Sequence, residues 1–293
     1  MNIALCTDDN YAMACGVCII SILETNKTSK YNIYVLTEKL SDLNKSKFEQ
    51  IESKYHQKTT IIVIKDDMLE GLKVSKRFNK SIYFRFLLQK LLPNETSVLY
   101  LDCDIIVNGS LMDLSNLDLN NYACAAVEDQ MDDDIRLRNR VEMEEGKLYF
   151  NSGFLLINLD YWRRYNIAEK CIRYISENPE KCIYPDQDAL NAILLDKVLF
   201  MPYRYNFQAL MYNKEEERFL ARKKWKEIEE WKNNPIIIHY TDPEKPWYKE
   251  CKHKYKQLFL DYKSDSPWHS CKIIRSYSLK KTMIMHLKKL IKQ

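Results

Sequence analysis

The chain alternates short apolar runs with amphipathic stretches. Residues 2–6 are an apolar run ending in polar Thr7-Asp8-Asp9-Asn10, the pattern of a strand that delivers a loop. Residues 13–24 read as a helix, and 32–36 return to β-forming side chains. Leu40, Leu43, Phe48 and Ile51 mark an amphipathic helix over 40–55. Residues 59–64 form a buried-type strand, 81–92 a helix stopped by Pro93, and 98–101 a strand running into Asp102-Cys103-Asp104. Strand and helix alternating at this spacing predict a mostly parallel sheet with helices on both faces, a Rossmann-like α/β fold. Ligands in such sheets bind beyond the carboxyl ends of the strands. Both polar loops, 7–11 and 102–104, fall at such ends.

The second half is less regular. Residues 123–127 and 154–159 read as strands, and 187–195 as a helix preceded by Tyr184-Pro185-Asp186. The charge-rich stretch 132–145 fits a solvated helix better than a lid. Residues 215–232 form a strongly charged helix, and 235–240 a strand running into Thr241-Asp242-Pro243-Glu244-Lys245-Pro246-Trp247. There is no internal repeat and no Gly/Ser linker. The one clear break lies near 264–267, where acidic residues stop.

Composition narrows the chemistry. Only five of the 293 residues are glycine, and no two fit G-x-G-x-x-G or G-x-x-x-x-G-K-[ST]. The dinucleotide fingerprint and the P-loop are thereby excluded, because both wrap Cβ-free backbone around phosphate. A bound nucleotide must have its phosphates neutralised by other means. The net charge of +4 is unevenly placed. Seven of the 45 basic residues follow Asp265, the last acid, so residues 1–265 hold 38 basic against 41 acidic residues, a net of −3. A uniformly basic nucleic-acid binder is disfavoured, and a near-neutral globule (1–265) with a basic tail (266–293) is expected. No apolar run approaches the ~18 residues of a membrane span. The amino terminus turns acidic at once, unlike a secretory leader. Nine cysteines in that context read as reduced cytosolic thiols. Cys15-Gly16-Val17-Cys18 has C-x-x-C spacing but reads as small residues on the first helix.

Asp102 and Asp104 sit at i and i+2 after an apolar strand, so both carboxylates can face one point. Two such oxygen donors suit a hard divalent ion. His239 ends the strand Ile236-Ile237-Ile238, and imidazole favours Mn²⁺ over Mg²⁺ or Ca²⁺. Lys245, six residues on, can place a point charge on the same phosphates. A metal and a lysine would then do the work of a glycine-rich loop.

In this order the motifs resemble glycosyltransferase family 8, the retaining, UDP-sugar-using group of GT-A fold that includes bacterial lipopolysaccharide galactosyl- and glucosyltransferases. The matching pieces are Thr7-Asp8-Asp9-Asn10-Tyr11, Tyr83-Phe84-Arg85, Leu101-Asp102-Cys103-Asp104, Phe150-Asn151-Ser152-Gly153, Asp186-Gln187-Asp188, and His239-Tyr240 through Lys245-Pro246-Trp247. The resemblance implies a mechanism and a set of roles. Asp8, Asn10 and Tyr11, following Thr7, would hold uridine, with Tyr11 stacked on uracil. Asp102, Asp104 and His239 would bind Mn²⁺, with Mg²⁺ as the alternative ion. Asp102 and Cys103 would also lie near the ribose. Lys245 and the backbone near Asp242 would hold the diphosphate. Arg85, Asn151, Asp186 and Gln187 would contact the donor sugar, with Ser152 beside them. Asp242 stands where a small residue, often glycine, is expected, and Ser152 where alanine is common.

Negative density for an oxocarbenium-like centre could come from Asp186, Asp188 and the Gln187 amide oxygen. A double displacement needs such a nucleophile. A front-face reaction needs only the acceptor hydroxyl beside the departing phosphate, and the resemblance favours it. The expected activity is transfer of galactose or glucose from the UDP-sugar to a glycan or glycolipid acceptor.

Ile273, Ile274, Tyr277, Met283, Ile284, Leu287, Leu290 and Ile291 recur near helical spacing among basic residues. That is the pattern of an interfacial amphipathic helix on an anionic membrane surface. A cytoplasmic protein held at the inner face of the cell membrane is expected, with no nucleic-acid partner. Two competing readings are a sugar nucleotidyltransferase, which usually carries a Gly-rich amino-terminal loop absent here, and a non-catalytic membrane- or nucleic-acid-tethered binding protein.

Overall fold

The structure, a computed structural model, describes residues 1–69, 80–212 and 222–276. Its centre is a seven-stranded sheet of order β3-β2-β1-β4-β7-β6-β8. The strands are β1 (Asn2–Cys6), β2 (Asn32–Thr37), β3 (Thr59–Val63), β4 (Ser97–Leu101), β6 (Cys124–Glu128), β7 (Phe150–Asn158) and β8 (Val198–Met201). Only β7 runs against the others, pairing antiparallel with β4 and β6. A small second sheet joins β5 (Ile105–Val107), β10 (Ile237–His239) and β9 (Phe207–Gln208).

The strands read as near-continuous apolar runs because both faces of the sheet are buried. Alternate residues feed two cores. Ile3, Leu5, Leu99 and Leu101 join the core under α1 (Ala12–Thr25). Ala4, Val98 and Tyr100 join the opposite core with Trp162 of α5 (Leu159–Tyr165), Ile175 of α6 (Ile167–Glu177) and Leu190 of α7 (Pro185–Leu194). Helix α2 (Asp42–Tyr55) starts where Ser41 Oγ accepts from Asn44 N at 3.3 Å and stops at His56 in the left-handed region.

β1 pairs with β2 on one side and β4 on the other, both parallel. Chain order reverses between β1 and β4, which makes their shared carboxyl end the switch point of the sheet. The two polar loops therefore lie side by side.

Four local expectations need correction. Residues 81–92 are a 3₁₀ segment over Lys80–Leu87 followed by one α turn, α3 (Leu88–Leu91). Within 132–145 only α4 (Ile135–Arg140) is helical, and Asp132 is buried, paired with Arg138 and Lys224. Strand β7 begins at Phe150, four residues earlier than expected, because Phe150 and Asn151 resume pairing with β6 beyond a bulge. Ala126 faces Leu155 but Val127 faces Asn151, so Ser152, Gly153 and Phe154 of β7 have no partner on β6. Of the charged helix 215–232, α8 (Arg222–Trp231) is described.

The fourth correction concerns the boundary at 265. After α9 (Lys256–Ser264), Ser266 and Trp268 are buried in the globule, and Ile274 bridges to Tyr248. The folded unit thus continues to at least Ser276. The remainder of the basic tail, 277–293, lies outside the described residues. All nine cysteines are free thiols, and Cys15 and Cys18 are buried on α1, as small core residues.

Candidate functional site

A cleft of about 620 Å³ opens at the switch point. Asp102 and Asp104 leave the end of β4, and His239 ends β10 on the facing small sheet. Antiparallel pairing of His239 with Ile105 brings the imidazole to the carboxylates. His239 Nε2 lies 3.3 Å from Asp104 Oδ1 and 3.9 Å from Asp102 Oδ2. Neighbouring ligands of an octahedral ion bound at ~2.1 Å are separated by about 3 Å. Among the described residues these three are the one group whose ligand atoms cluster closely enough for a metal.

Each ligand is held from behind. Asp102 Oδ1 accepts from Tyr100 Oη at 2.7 Å and from Arg85 Nη2 at 3.1 Å, leaving Oδ2 toward the histidine. Asp104 Oδ2 accepts from Lys245 Nζ at 2.7 Å. Burial pushes the Asp104 carboxyl up, but Lys245 and His239 outweigh it and hold it below the usual carboxylate range. Gly153 closes the floor. A Cβ there would lie 2.3 Å from His239 Cε1 and 2.7 Å from Asp102 Oδ2. A donor set of two carboxylates and one imidazole, cradled by a Cβ-free residue, fits a divalent ion.

Beside this centre lies a buried amide and carboxylate network. Gln187 Oε1 accepts from Ser152 N at 2.9 Å and from Asn151 Nδ2 at 3.2 Å. Gln187 Nε2 and Asn151 Nδ2 both donate to Asp129 Oδ2, at 3.1 and 3.0 Å. Asp186 Oδ2 accepts from Ser152 Oγ at 3.0 Å and pairs with Arg85 Nη1 at 2.9 Å. Arg85 also donates to Ser152 O at 2.7 Å and lies 4.2 Å from the centre of the Tyr100 ring. Burial opposes its charge, but Asp186, Tyr100 and Asp102 keep it protonated. Burial raises the carboxyls of Asp186 and Asp129, against Arg85 for the first and the Asn151 hydrogen bond for the second.

At the other end, Tyr11 is 40% exposed and meets Trp247 edge-on, with ring centres 5.5 Å apart. An open aromatic face is thus available for a flat ring. Asp8 Oδ1 accepts from Tyr11 N at 2.8 Å.

The cleft gathers Thr7, Asp8 and Tyr11 from the first loop and Asp102, Cys103 and Asp104 from the second. Arg85, Asn151, Ser152, Asp186, Gln187, His239 and Lys245 also line it. Three expected residues are not brought in. Asn10 and Asp242 are exposed and do not line the cleft. Asp188 is fully buried and committed elsewhere. Its carboxylate accepts from Tyr149 Oη at 2.7 Å, Arg140 Nη2 at 3.0 Å and Tyr184 N at 2.7 Å, which anchors the start of α7.

Two central residues escaped the sequence reading. Asp129 follows strand β6, and the same strand-end rule that singles out Asp102 would have found it. Asn206 has no motif, because its place depends on the parallel pairing of β9 with β10.

An open, mostly parallel sheet with an Asp-x-Asp pair and a histidine at its switch point is the layout of a GT-A glycosyltransferase. The chain belongs to glycosyl transferase family 8, whose model matches residues 2–251. It is 33% identical over 277 residues to General stress protein A of Bacillus subtilis (strain 168), covering 92% of this chain and 95% of that protein. It is also 33% identical over 283 residues to the lipopolysaccharide glucosyltransferase WaaO of Escherichia coli (strain K12), covering 94% and 81%. Among solved structures, the galactosyltransferase LgtC, in complex with donor and acceptor sugar analogues, superposes with a TM-score of 0.82 at 25% identity, covering 91% of this chain and 96% of that one.

Proposed function

We propose that this protein is a retaining hexosyltransferase. It moves galactose or glucose from a UDP-sugar to a hydroxyl of a glycan or glycolipid, with Mn²⁺ held by Asp102, Asp104 and His239. The observation that carries this reading is the convergence of those three ligands with Lys245 on one side and the Asn151–Gln187 network on the other. Names of relatives support it, since they include a lipopolysaccharide glucosyltransferase and a lipopolysaccharide 1,3-galactosyltransferase.

The ion, when bound, supplies positive charge for the leaving diphosphate. Lys245 adds a second cation there. Tyr11 and Asp8 hold the uridine, and Cys103 lies near the ribose. Arg85, already pinned by Asp102 and Asp186, fixes the sugar wall rather than reaching into it. Gln187 faces the anomeric carbon. Its amide oxygen already accepts two hydrogen bonds, so attack by it would break both. A front-face route avoids that loss. In it the bond from the anomeric carbon to the diphosphate oxygen breaks, the bond to the acceptor oxygen forms on the same face, and the acceptor proton passes to the departing phosphate.

The test is UDP release from UDP-galactose and UDP-glucose with Mn²⁺, with Mg²⁺ and with chelator. Release that needs a divalent ion and prefers one donor is expected. Equal rates with ion and with chelator would reject the assignment.

No helix of the described residues is long and apolar enough to cross a membrane. We place the membrane contact in 277–293, whose sequence holds five lysines and no acid. Each basic residue near an anionic surface contributes about 1 kcal/mol. Removing 277–293 is expected to abolish sedimentation with phosphatidylserine vesicles while UDP-sugar hydrolysis persists. Undiminished sedimentation would overturn the placement.

A further inference from the structure

Asn206 is fully buried between the 3₁₀ turn Tyr203–Tyr205 and β9. Its carboxamide touches both halves of the site. Oδ1 lies 2.9 Å from His239 Nδ1, and Nδ2 donates to Asn151 Oδ1 at 3.0 Å.

The direction of each hydrogen bond in this chain is forced from one end. As a carboxylate, Asp129 Oδ2 receives Nδ2 of Asn151 and Nε2 of Gln187, and the backbone N–H groups of Gly153 and Ser152, which can only donate, fix the same orientation of both amides. The Asn151 amide is thereby oriented, with Oδ1 left as an acceptor that also takes Gly153 N at 3.0 Å. An acceptor there demands the NH₂ end of Asn206. Asn206 must then present its oxygen to His239, and His239 must carry its proton on Nδ1. Nε2, the nitrogen that faces Asp102 and Asp104, is thereby kept as the one available to a metal.

We propose that Asn206 is a positioning residue that fixes the His239 tautomer and joins the metal centre to the donor-sugar network anchored by Asp129. It rests on the metal-dependent reading above and adds a coupling between the two halves of the site. A ligand that reorients Asn151 or Gln187 is felt at His239 through one carboxamide, and metal binding is felt in return.

The coupling separates two substitutions. In Asn206→Asp a carboxylate oxygen still accepts from His239 Nδ1–H, but the donor to Asn151 is gone and two acceptors face each other. In Asn206→Leu both links are lost. Mn²⁺ affinity, measured by calorimetry without any sugar nucleotide, is expected to fall about tenfold or more in Asn206→Leu and to stay near native in Asn206→Asp. UDP release is expected to fall in both. Native affinity in Asn206→Leu, or equal loss of affinity in the two variants, overturns the proposal.

A second readout needs neither metal nor turnover. In the metal-free native chain, long-range ¹H–¹⁵N correlation of the histidines is expected to show Nδ1 of His239 protonated, whether or not Nε2 beside Asp104 also carries a proton, and Asn206→Leu to lose that preference. An Nε2–H tautomer in the native chain overturns the proposal even if the protein binds no Mn²⁺, an outcome that by itself would sink only the metal-dependent reading.

Discussion

Gly153→Ala is expected to lower UDP release at least about a hundredfold and to weaken Mn²⁺ binding with it, while the circular dichroism of the fold stays close to native. The new Cβ would sit 2.3 Å from His239 Cε1, 2.7 Å from Asp102 Oδ2 and 3.1 Å from Asn151 Oδ1. None of the three can easily give way. His239 is held by Asn206, and Asp102 by Tyr100 and Arg85. Asn151 is held by Asp129 and Gln187. The backbone is pinned as well, because Gly153 O accepts from Asp102 N at 2.9 Å and Gly153 N donates to Asn151. Displacement must therefore fall on the ligand atoms, and a shift of about 1 Å at a reacting centre costs on the order of 10²-fold. Calorimetric Mn²⁺ titration and initial rates check this together. A Gly153→Ala protein with native metal affinity would show that the three groups are not the ion's cradle.

That glycine also marks how far the sequence was legible. Glycine scarcity removed phosphate loops from consideration, and Asp102, Asp104 and His239 could be singled out because each lies at or just beyond the end of an apolar strand. The first two converge through the turn between β4 and β5 rather than by the period-two alternation of a strand, and the fold needs only adjacent β1 and β4 to bring Tyr11 and Asp8 beside them. What was not legible depends on pairings that local pattern does not encode. The register jump between β6 and β7 that leaves Ser152, Gly153 and Phe154 unmatched on β6 has no periodic signal, so Asn151 and Ser152 were singled out by the family motif alone. Asn206 is placed by a two-residue strand, too short to leave a periodic signal. Asp188 matched the motif as well as Asp186 does, yet it faces Tyr149 and Arg140, because two residues are about half a turn of helix and point the two side chains to opposite faces.

The break in charge at 265 misled for a different reason. Charge reports solvation of the surface, whereas the end of a fold is set by where apolar burial ends. Trp268 is only 2% exposed. It lies on Gly16 of α1, where a Cβ would come 2.1 Å from its Cζ3, so the glycine inside the C-x-x-C spacing serves to seat an indole. Phe48 meets it edge-on with ring centres 5.2 Å apart, and Nε1 donates to Asn44 Oδ1 at 2.8 Å. Trp268→Ala is therefore expected to cost about 3–5 kcal/mol. That is a large fraction of the ~5–15 kcal/mol that holds a typical domain. For a chain of this length it corresponds to a fall in Tm on the order of 10 °C. Ending the chain after Asp265 removes the same side chain and should destabilise it at least as much, whereas ending it after Ser276 should keep the native Tm and lose only vesicle binding. Thermal unfolding of the three proteins beside the full chain decides the matter. If the chain ending at 265 melts with the full-length protein, the indole contributes nothing to the core and the fold ends where the acids do.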